Sequence, residues 1–207
     1  MRIGLYGGSF DPVHQGHLIV AECCREQARL DKVLFLPAAI PPHKQDRPLA
    51  EPDHRIEMLR LAIGGHPDFA VSTDEIDRGG VSYTVETLAR LHVVHPADEL
   101  LLILGPDALA DLPTWREPAT ILTRAEIIAV EREEIDDIRA IVAAPKLAAL
   151  LGPERVQRVA NNRVTCPPIG IRASDLRAAI AAGRSIRYRT PRAVEHYIAA
   201  HRLYTTG

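Results

Sequence analysis

The segment Gly7–His17, with the sequence GGSFDPVHQGH, contains the residues of this chain whose types and spacing are best suited to chemistry. It follows a short apolar run, Ile3–Tyr6, that predicts a buried first strand. Its adjacent glycines let the backbone turn sharply and approach a ligand with no Cβ in the way. A helical pattern begins at about His17, so the turn leads to a helix N-terminus, where free N–H groups and the helix dipole favour a phosphate. Because His14 and His17 can both donate hydrogen bonds to anionic oxygens, we interpret the segment as a phosphate-binding active-site loop.

Other interpretations of this loop agree less well with the sequence. It lacks the Gly-Lys-Ser/Thr ending of a Walker A loop and the G-x-G-x-x-G spacing of a dinucleotide fold. The next apolar run, Val33–Leu36, is not followed by an acidic residue that could hold a ribose hydroxyl, which argues against a hydride-transfer enzyme. His14 and His17 could be two zinc ligands, but no third ligand follows at a recognisable spacing, so we predict no protein metal site. A glycine turn with two incidental histidines is the remaining alternative.

The overall composition favours a compact enzyme over a nucleic-acid-binding or membrane protein. The 207 residues are 46% hydrophobic, which is enough for a core, and the net charge of -2 provides no general basic surface for DNA or RNA. Cys23, Cys24 and Cys166 imply no disulfide framework. No apolar run approaches membrane-spanning length, and the chain begins directly in a strand, so we expect no signal peptide and a cytoplasmic location. Since no Pro/Gly/Ser-rich linker divides the chain, we expect one domain, residues 1–207.

Strand-like apolar runs alternate with helical patterns along the chain. After the first strand, further strands are predicted at Val33–Pro37, Phe69–Ser72, Leu100–Leu104 and Glu126–Val130. Helices are predicted to begin near His17, near Pro52 and at Tyr83, the last with Ser82 as its N-cap, and the acidic stretch Glu131–Asp137 is interpreted as a solvated helix start. Apolar runs without alternation predict an α/β fold with a Rossmann-like parallel sheet and helices on both faces. In such sheets ligands bind beyond the carboxyl ends of the strands.

Two polar clusters follow predicted strands and could line this ligand crevice. The proline-rich loop Pro41–Lys44 follows the second strand and carries the Lys44 ammonium group, although an ordinary surface loop would have the same composition. Further along, Tyr83 and Thr84 begin a helix after a Gly-Gly turn. Such a helix start offers free N–H groups to an anion or to a polar ring substituent.

A third and a fourth candidate follow the long run Leu100–Leu104. Asp107, in the turn that begins at Gly105, provides a carboxylate suited to accepting hydrogen bonds from ribose hydroxyls, with a helix-capping aspartate as the alternative. Trp115 is the only tryptophan and lies near a proline. A lone tryptophan is usually part of the core, but in a loop after a strand it can serve as a platform for stacking an aromatic ring.

These motifs together resemble a known enzyme family. The N-terminal segment is similar to the signature of the nucleotidylyltransferase superfamily, whose H/T-x-G-H element is related to the H-I-G-H element of class I aminoacyl-tRNA synthetases. Over nearly its whole length the chain resembles the bacterial nicotinate-nucleotide adenylyltransferase family, whose P-P-H-K loop, S-Y-T-x-x-T-L helix start, G-x-D turn and downstream tryptophan appear in order. Thr190–Ile198 and Leu203–Tyr204 match its closing pattern. One segment departs: where the family has I-S-S-T-x-I-R, Ile171–Arg177 has Arg172 and Ala173 in place of two hydroxyl residues.

The resemblance implies transfer of AMP from ATP to nicotinate mononucleotide, which gives deamido-NAD and pyrophosphate by direct in-line attack without a covalent intermediate. It implies catalytic roles for His14, His17 and Arg177, with C-terminal helices of about residues 171–204 completing the ATP site. The other ATP-binding residues that it implies are Gly7, Gly8, Ser9, Phe10, Gly105, Asp107 and Ser174. The residues that it implies around nicotinate mononucleotide are Lys44, Tyr83, Thr84, Trp115 and Arg132. Mg²⁺ is expected to be held mainly by the ATP phosphates.

Two other functions stay open at this level. The chain could adenylylate another phosphorylated acceptor such as phosphopantetheine, although the Tyr83–Thr84 helix start and Trp115 argue against it. It could also be a non-catalytic nucleotide sensor, which the intact His14, His17 and Arg177 make the weaker hypothesis. The sequence does not define the oligomeric state and is compatible with a homo-oligomer.

Overall fold

Residues 1–42, 49–132 and 137–205 are described by a computed structural model of the chain. The strands are β1 (Arg2–Gly8), β2 (Lys32–Pro37), β3 (Phe69–Val71), β4 (Glu99–Leu104), β5 (Glu126–Arg132) and β6 (Val164–Cys166). The first helices are α1 (Gln15–Gln27), α2 (Pro52–Ile63), α3 (Asp74–Arg78), α4 (Thr84–Val94) and α5 (Pro106–Asp111), followed by a 3₁₀ turn (Leu112–Thr114). The later helices are α6 (Pro118–Arg124), α7 (Ile138–Ala143), α8 (Pro145–Asn161), α9 (Ala173–Ala181) and α10 (Arg192–Ala200).

The strands form a parallel sheet in the order β3-β2-β1-β4-β5-β6. Leu5 of β1 is in register with Leu102 of β4, which in turn pairs with Ile127 of β5. Successive side chains of a strand point to opposite faces of the sheet, and every residue of Leu100–Leu104 is buried. Both faces of the sheet are therefore covered there, which confirms the predicted α/β fold with a Rossmann-like parallel sheet.

The chain is organised in two compact units. The first unit consists of Met1–Tyr6, Val20–Leu34 and Tyr83–Pro168, and it contains β4, β5 and β6. The second unit consists of Gly7–Ile19, Phe35–Ser82 and Ile169–Gly207, and it contains α2, α9 and α10. The prediction of a single domain over residues 1–207 stays a prediction.

The strands and the helix near Pro52 that local periodicity predicts are found where it predicts them. The predicted strands coincide with β1 to β5 to within two residues at each end. Helix α2 begins at Pro52, which suits the first turn of a helix because its missing N–H has no helical partner there. Its apolar stripe, Ile56, Leu59 and Ile63, is buried. Strand β6 was not predicted, because its three residues are too short to give a periodic signal.

Two of the predicted helix starts are corrected by the structure. Ser82 is not the N-cap of α4: the helix begins one residue later, and the Ser82 hydroxyl oxygen accepts a hydrogen bond from the backbone N–H of Ala39 at 2.9 Å. The acidic stretch is not one helix start, because Glu131 belongs to β5 and pairs with Arg163 at 2.6 Å. Its last residue, Asp137, does cap α7 by accepting a hydrogen bond from the N–H of Ala140. Residues 133–136 lie outside the described part of the chain.

No helix in the described ranges combines the length and the apolar character that crossing a membrane requires.

Candidate active site

The predicted phosphate-binding loop connects β1 to α1 in the second unit. Phe10, at its centre, is buried and has a φ of 46°, a left-handed conformation that bulky residues rarely adopt. Its ring packs edge-on against the imidazole of His17, with the ring centroids 5.0 Å apart, and also contacts Phe35. A Cβ on Gly8 would lie 3.0 Å from the Phe10 ring, so this close approach of ring to backbone explains the glycine.

His14 and His17 lie side by side at the end of this loop. Their rings are stacked, with centroids 3.7 Å apart and planes inclined by 21°. The backbone N–H of His14 donates a hydrogen bond to Nδ1 of His17 at 3.2 Å. Because Nδ1 accepts, the proton of a neutral His17 ring belongs on Nε2, which can then donate to an anionic oxygen. The loop itself thus selects the tautomer of His17.

His14, the first histidine of the H-x-G-H element, is held in its neutral form. His14 is only 6% exposed, and burial lowers the pKa of its imidazole to about 4. Its Nδ1 is buried without a hydrogen-bond partner among the described residues. A Cβ at Gly16 would lie 3.1 Å from two atoms of the His14 ring, so glycine is required for the ring to sit at this depth. The structure therefore gives a reason for the glycine of the H-x-G-H element.

Arg177, from α9, reaches the same loop through Asp11. Its Nη1 lies 3.5 Å from Oδ2 of Asp11 and also donates a hydrogen bond to the backbone carbonyl of Asp11. The other carboxylate oxygen, Oδ1, accepts from the backbone N–H of Ala50 at 3.2 Å. Arg177 thus contacts the loop that carries His14 and His17, and Asp11 is the residue of the loop that it contacts. Their catalytic roles stay a prediction.

Arg55, on α2, is a residue of this site that the sequence analysis missed. It is 1% exposed and donates hydrogen bonds to the backbone carbonyls of Ser9 at 3.0 Å, Ala38 at 2.8 Å and Ala50 at 3.0 Å. Burial lowers the pKa of its guanidinium group, while the nearby Asp11 charge raises it. The three hydrogen bonds of this guanidinium group join α2 to Ser9 of the loop and to the backbone at Ala38 and Ala50. A signal was present, because Arg55 interrupts the apolar stripe of an amphipathic helix.

The segment that departs from the family pattern forms the start of α9. Arg172 is its N-cap residue, and both Arg172 and Ser174 are exposed. The Ser174 hydroxyl donates to the neighbouring Asp175 carboxylate at 3.2 Å. A hydroxyl in the first turn of a helix can contact a phosphate that the free N–H groups also bind. This position is compatible with the predicted ATP contact of Ser174. Among the described residues, no hydrogen bond connects Ser174 with His14 or His17.

In the first unit, Tyr83 and Thr84 form the start of α4. The guanidinium carbon of Arg116 lies 4.8 Å from the centroid of the Tyr83 ring, and Nη1 of Arg116 pairs with Glu86 at 2.8 Å. A cation over an aromatic face is attracted by the ring quadrupole. Arg116 is thus a second residue that the sequence analysis missed, because 33 positions separate it from its aromatic partner.

The other predicted residues of the first unit lie on separate elements. Trp115 follows the 3₁₀ turn and is partly buried, and its Nε1 has no hydrogen-bond partner among the described residues. Gly105 is the N-cap residue of α5, so Asp107 is not the cap; its side chain is exposed in the first turn. Arg132 ends β5 and is in register with Cys166 of β6. Lys44 lies outside the described residues.

Residues 5–179 match the model of the cytidylyltransferase-like family, which defines the class of protein to which the fold and the loop correspond. A relative from Thermomicrobium roseum is 45% identical over 99% of this chain and 92% of its own length. One from Roseiflexus sp. is 48% identical over 98% of this chain and 97% of its own, and one from Thermus thermophilus is 43% identical over 99% of this chain and 100% of its own.

Each of these relatives is named as a probable nicotinate-nucleotide adenylyltransferase. The chain belongs to the nicotinate-nucleotide adenylyltransferase family, a family of nucleotidyltransferase enzymes. Among solved structures, the nicotinic acid mononucleotide adenylyltransferase of Plasmodium falciparum in complex with NaAD superposes with a TM-score of 0.72. That superposition covers 98% of this chain and 97% of the other at 18% identity, so it supports the fold.

Proposed function

We propose that this enzyme transfers AMP from ATP to nicotinate mononucleotide, forming deamido-NAD and pyrophosphate in NAD biosynthesis. Membership of the family supports this reaction, because relatives over 40% identical across nearly the whole chain carry its name. The observation that carries the chemistry is the loop between β1 and α1, where two stacked histidines lie at the start of a helix and Arg177 contacts Asp11 of the same loop.

The reaction requires alignment and charge stabilisation more than proton transfer. The 5′-phosphate of a mononucleotide is already ionised at neutral pH, so an oxygen of that phosphate can attack the α-phosphorus of ATP without a general base. The bond from the α-phosphorus to the bridging oxygen then breaks, and pyrophosphate leaves with the electron pair. Rate enhancement comes from holding the two phosphates in line and from donors that stabilise the developing charge.

The two histidines take different parts in this scheme. His17 presents its Nε2–H as a donor, since its Nδ1 is engaged by the backbone of His14. His14 is neutral at pH 7 because of its burial, so it stabilises the loop and contributes a dipole rather than a charge. The positive charge at the phosphates is instead supplied by Arg177. The hydroxyl of Ser174, at the start of α9, forms a hydrogen bond with the β- and γ-phosphates, which become the leaving group.

The loop is suited to an ATP-bound Mg²⁺ rather than to a dedicated protein site. The buried carboxylate of Asp11 is engaged with Ala50 and Arg177, and the backbone of the loop offers N–H donors to phosphate. Mg²⁺ retains its waters readily and binds well through substrate phosphates. When bound with ATP, it would neutralise charge on the phosphate oxygens.

The acceptor is expected to bind at the start of α4 in the first unit. The backbone N–H groups at Tyr83 and Thr84 can donate hydrogen bonds to the nicotinate carboxylate, and the indole of Trp115 can stack on the pyridine ring. Lys44 is a candidate for contact with the mononucleotide, and Arg132 is a candidate near its phosphate. Gly105 and Asp107 are assigned to adenosine or its ribose by resemblance.

A pyrophosphate-release assay with ATP and a panel of acceptors tests the proposed function. We expect turnover with nicotinate mononucleotide and none above background with phosphopantetheine. Turnover with phosphopantetheine alone would establish a different adenylyltransferase. Tight binding of ATP with no turnover on any acceptor would establish a nucleotide sensor.

A further inference from the structure

Three segments of the second unit meet at the buried carboxylate of Asp11. Besides the N–H of Ala50, its Oδ1 accepts a hydrogen bond of 2.6 Å from the hydroxyl of Tyr204, a residue of the C-terminal segment. Its Oδ2 faces Arg177 of α9. Asp11 is 1% exposed, and burying a carboxylate at that depth is costly unless it is paired and hydrogen-bonded.

We propose that Asp11 and Tyr204 are positioning residues that hold the guanidinium of Arg177 in the orientation that binds the phosphates of ATP. The inference rests on the proposed function in so far as Arg177 binds those phosphates. Neither residue touches the substrate in this account. Tyr204 fixes the carboxylate, and the carboxylate fixes the arginine.

The hydroxyl of Tyr204 can act only as a donor to this carboxylate. Burial and the neighbouring Asp11 charge both raise the pKa of the phenol, so the hydroxyl keeps its proton. The backbone of Tyr204 has a φ of 64°, in the left-handed region that bulky residues enter only where the surroundings determine the conformation. The hydrogen bond to Asp11 is such a determinant, and it ties the segment after α10 to the phosphate loop.

Arg177 has the geometry of a residue that is oriented from one side. Its side chain is 17% exposed, and its Nη1 donates a hydrogen bond to the backbone carbonyl of Asp11. The same nitrogen forms an ion pair with the carboxylate oxygen Oδ2 at 3.5 Å, and Oδ2 has no hydrogen-bond partner among the described residues. Because the guanidinium group is planar and rigid, fixing one nitrogen fixes the directions of the remaining N–H groups. A phosphate can then be bound without the loss of rotamer freedom that an unanchored arginine would suffer.

Three single variants separate this role from a general effect on folding. Tyr204→Phe removes the donor and keeps the ring. Asp11→Asn keeps an oxygen for Tyr204 and Ala50 but turns an amide N–H toward Arg177. Tyr197→Phe is the matched control, because the Tyr197 hydroxyl also forms a side-chain hydrogen bond, with Nδ1 of His54 at 2.9 Å. Tyr197 lies on α10, and this hydrogen bond does not involve Asp11.

The readouts are the Kd for inorganic pyrophosphate with Mg²⁺ by calorimetry, the KM values for ATP and for nicotinate mononucleotide, and the melting temperature. We expect Tyr204→Phe and Asp11→Asn to weaken pyrophosphate binding and to raise the KM for ATP about tenfold, as the loss of a hydrogen bond to a charged group does. The KM for the mononucleotide should stay within about twofold, and Tyr197→Phe should leave both KM values unchanged.

A double-mutant cycle shows whether Tyr204 acts through the arginine. In an Arg177→Ala background, Tyr204→Phe should add no further loss of pyrophosphate affinity. Additive losses, or an unchanged KM for ATP in both single variants, overturn the inference. A wild-type enzyme that binds pyrophosphate but transfers AMP to no acceptor refutes the proposed reaction alone, because the calorimetric cycle needs no acceptor. A wild-type enzyme without affinity for pyrophosphate refutes both.

Discussion

The backbone N–H of His14 donates a hydrogen bond to Nδ1 of His17, while the two imidazole rings stack with their centroids 3.7 Å apart. This relationship makes one histidine the structural support of the other. The backbone N–H of His14 fixes the tautomer of His17, and the stacked ring of His14 fixes its plane. In the proposed mechanism the Nε2–H of His17 is the donor to a phosphate oxygen. The proposed catalysis by this loop therefore depends on how firmly the pair is held.

His17→Ala should abolish most of the turnover and preserve the fold. The loss of one preorganised donor to a charged transition state costs about 10²–10³ in kcat. The measurement is kcat together with the melting temperature on the same preparation, with His196→Ala on the exposed face of α10 as the control. A His17→Ala enzyme that melts normally and runs within about threefold of wild type would remove this histidine from the mechanism.

Gly16→Ala should disturb the histidine pair by crowding the ring of His14. The added methyl group would lie 3.1 Å from the His14 ring and 3.3 Å from Ile169, so the ring has to shift from its present position beside His17. A displacement of that size at an aligned site should lower kcat about tenfold or more. Gly170→Ala is the control, because a Cβ there meets nothing within 4 Å. Equal kcat values for the two alanine variants would show that the position of His14 does not matter.

The burial of His14 should make the stability of the protein depend on pH. Its pKa is about 4 in the folded state, below the ordinary value of 6.5, so the unfolded state binds the proton more tightly between these values. Stability is therefore lost as the pH falls from about 6.5 toward about 4, by about 2 kcal/mol between pH 7 and pH 5. Urea unfolding at both pH values should show this loss in wild type and a correspondingly smaller one in His14→Gln. Identical losses in the two proteins would contradict it.

Arg177→Ala should raise the KM for ATP more than Arg172→Ala does. Arg177 is anchored to Asp11 of the loop, whereas Arg172 occupies the N-cap position of α9 with an exposed side chain. Removing an anchored, charge-assisted hydrogen-bond donor costs about 1.5–3 kcal/mol, or about tenfold to a hundredfold in KM. Steady-state kinetics on the two variants decides the order. The reverse order would mean that the departure from the family pattern in this segment has moved the phosphate contact to Arg172.

Local patterns predicted the strands, the main helices and the phosphate loop because each of these signals lies within a few neighbouring residues. Glycine pairs, apolar runs and helix starts are of this kind. The predicted N-cap at Ser82 was wrong because its hydroxyl is used by Ala39, 43 residues away. Periodicity has no access to such a bond.

The supports of the site could not be found in the same way. The hydrogen bond between Asp11 and Tyr204 spans 193 residues, and the bond from Arg55 to Ser9 spans 46. A single sequence contains no signal that pairs residues at such separations. Only the position of Arg55 within an apolar helical stripe indicated that its charge would be buried and would need partners.

The central claim is tested most directly by comparing kcat/KM for nicotinate mononucleotide and nicotinamide mononucleotide at saturating ATP and Mg²⁺. The backbone N–H groups at Tyr83 and Thr84 suit a carboxylate, which accepts on both oxygens, whereas an amide leaves one donor unpaired at a cost of about 1–3 kcal/mol. The account predicts a preference for the acid of about tenfold to a hundredfold. Equal values, or a preference for the amide, would contradict the acid-specific transfer and leave an adenylyltransferase of dual specificity.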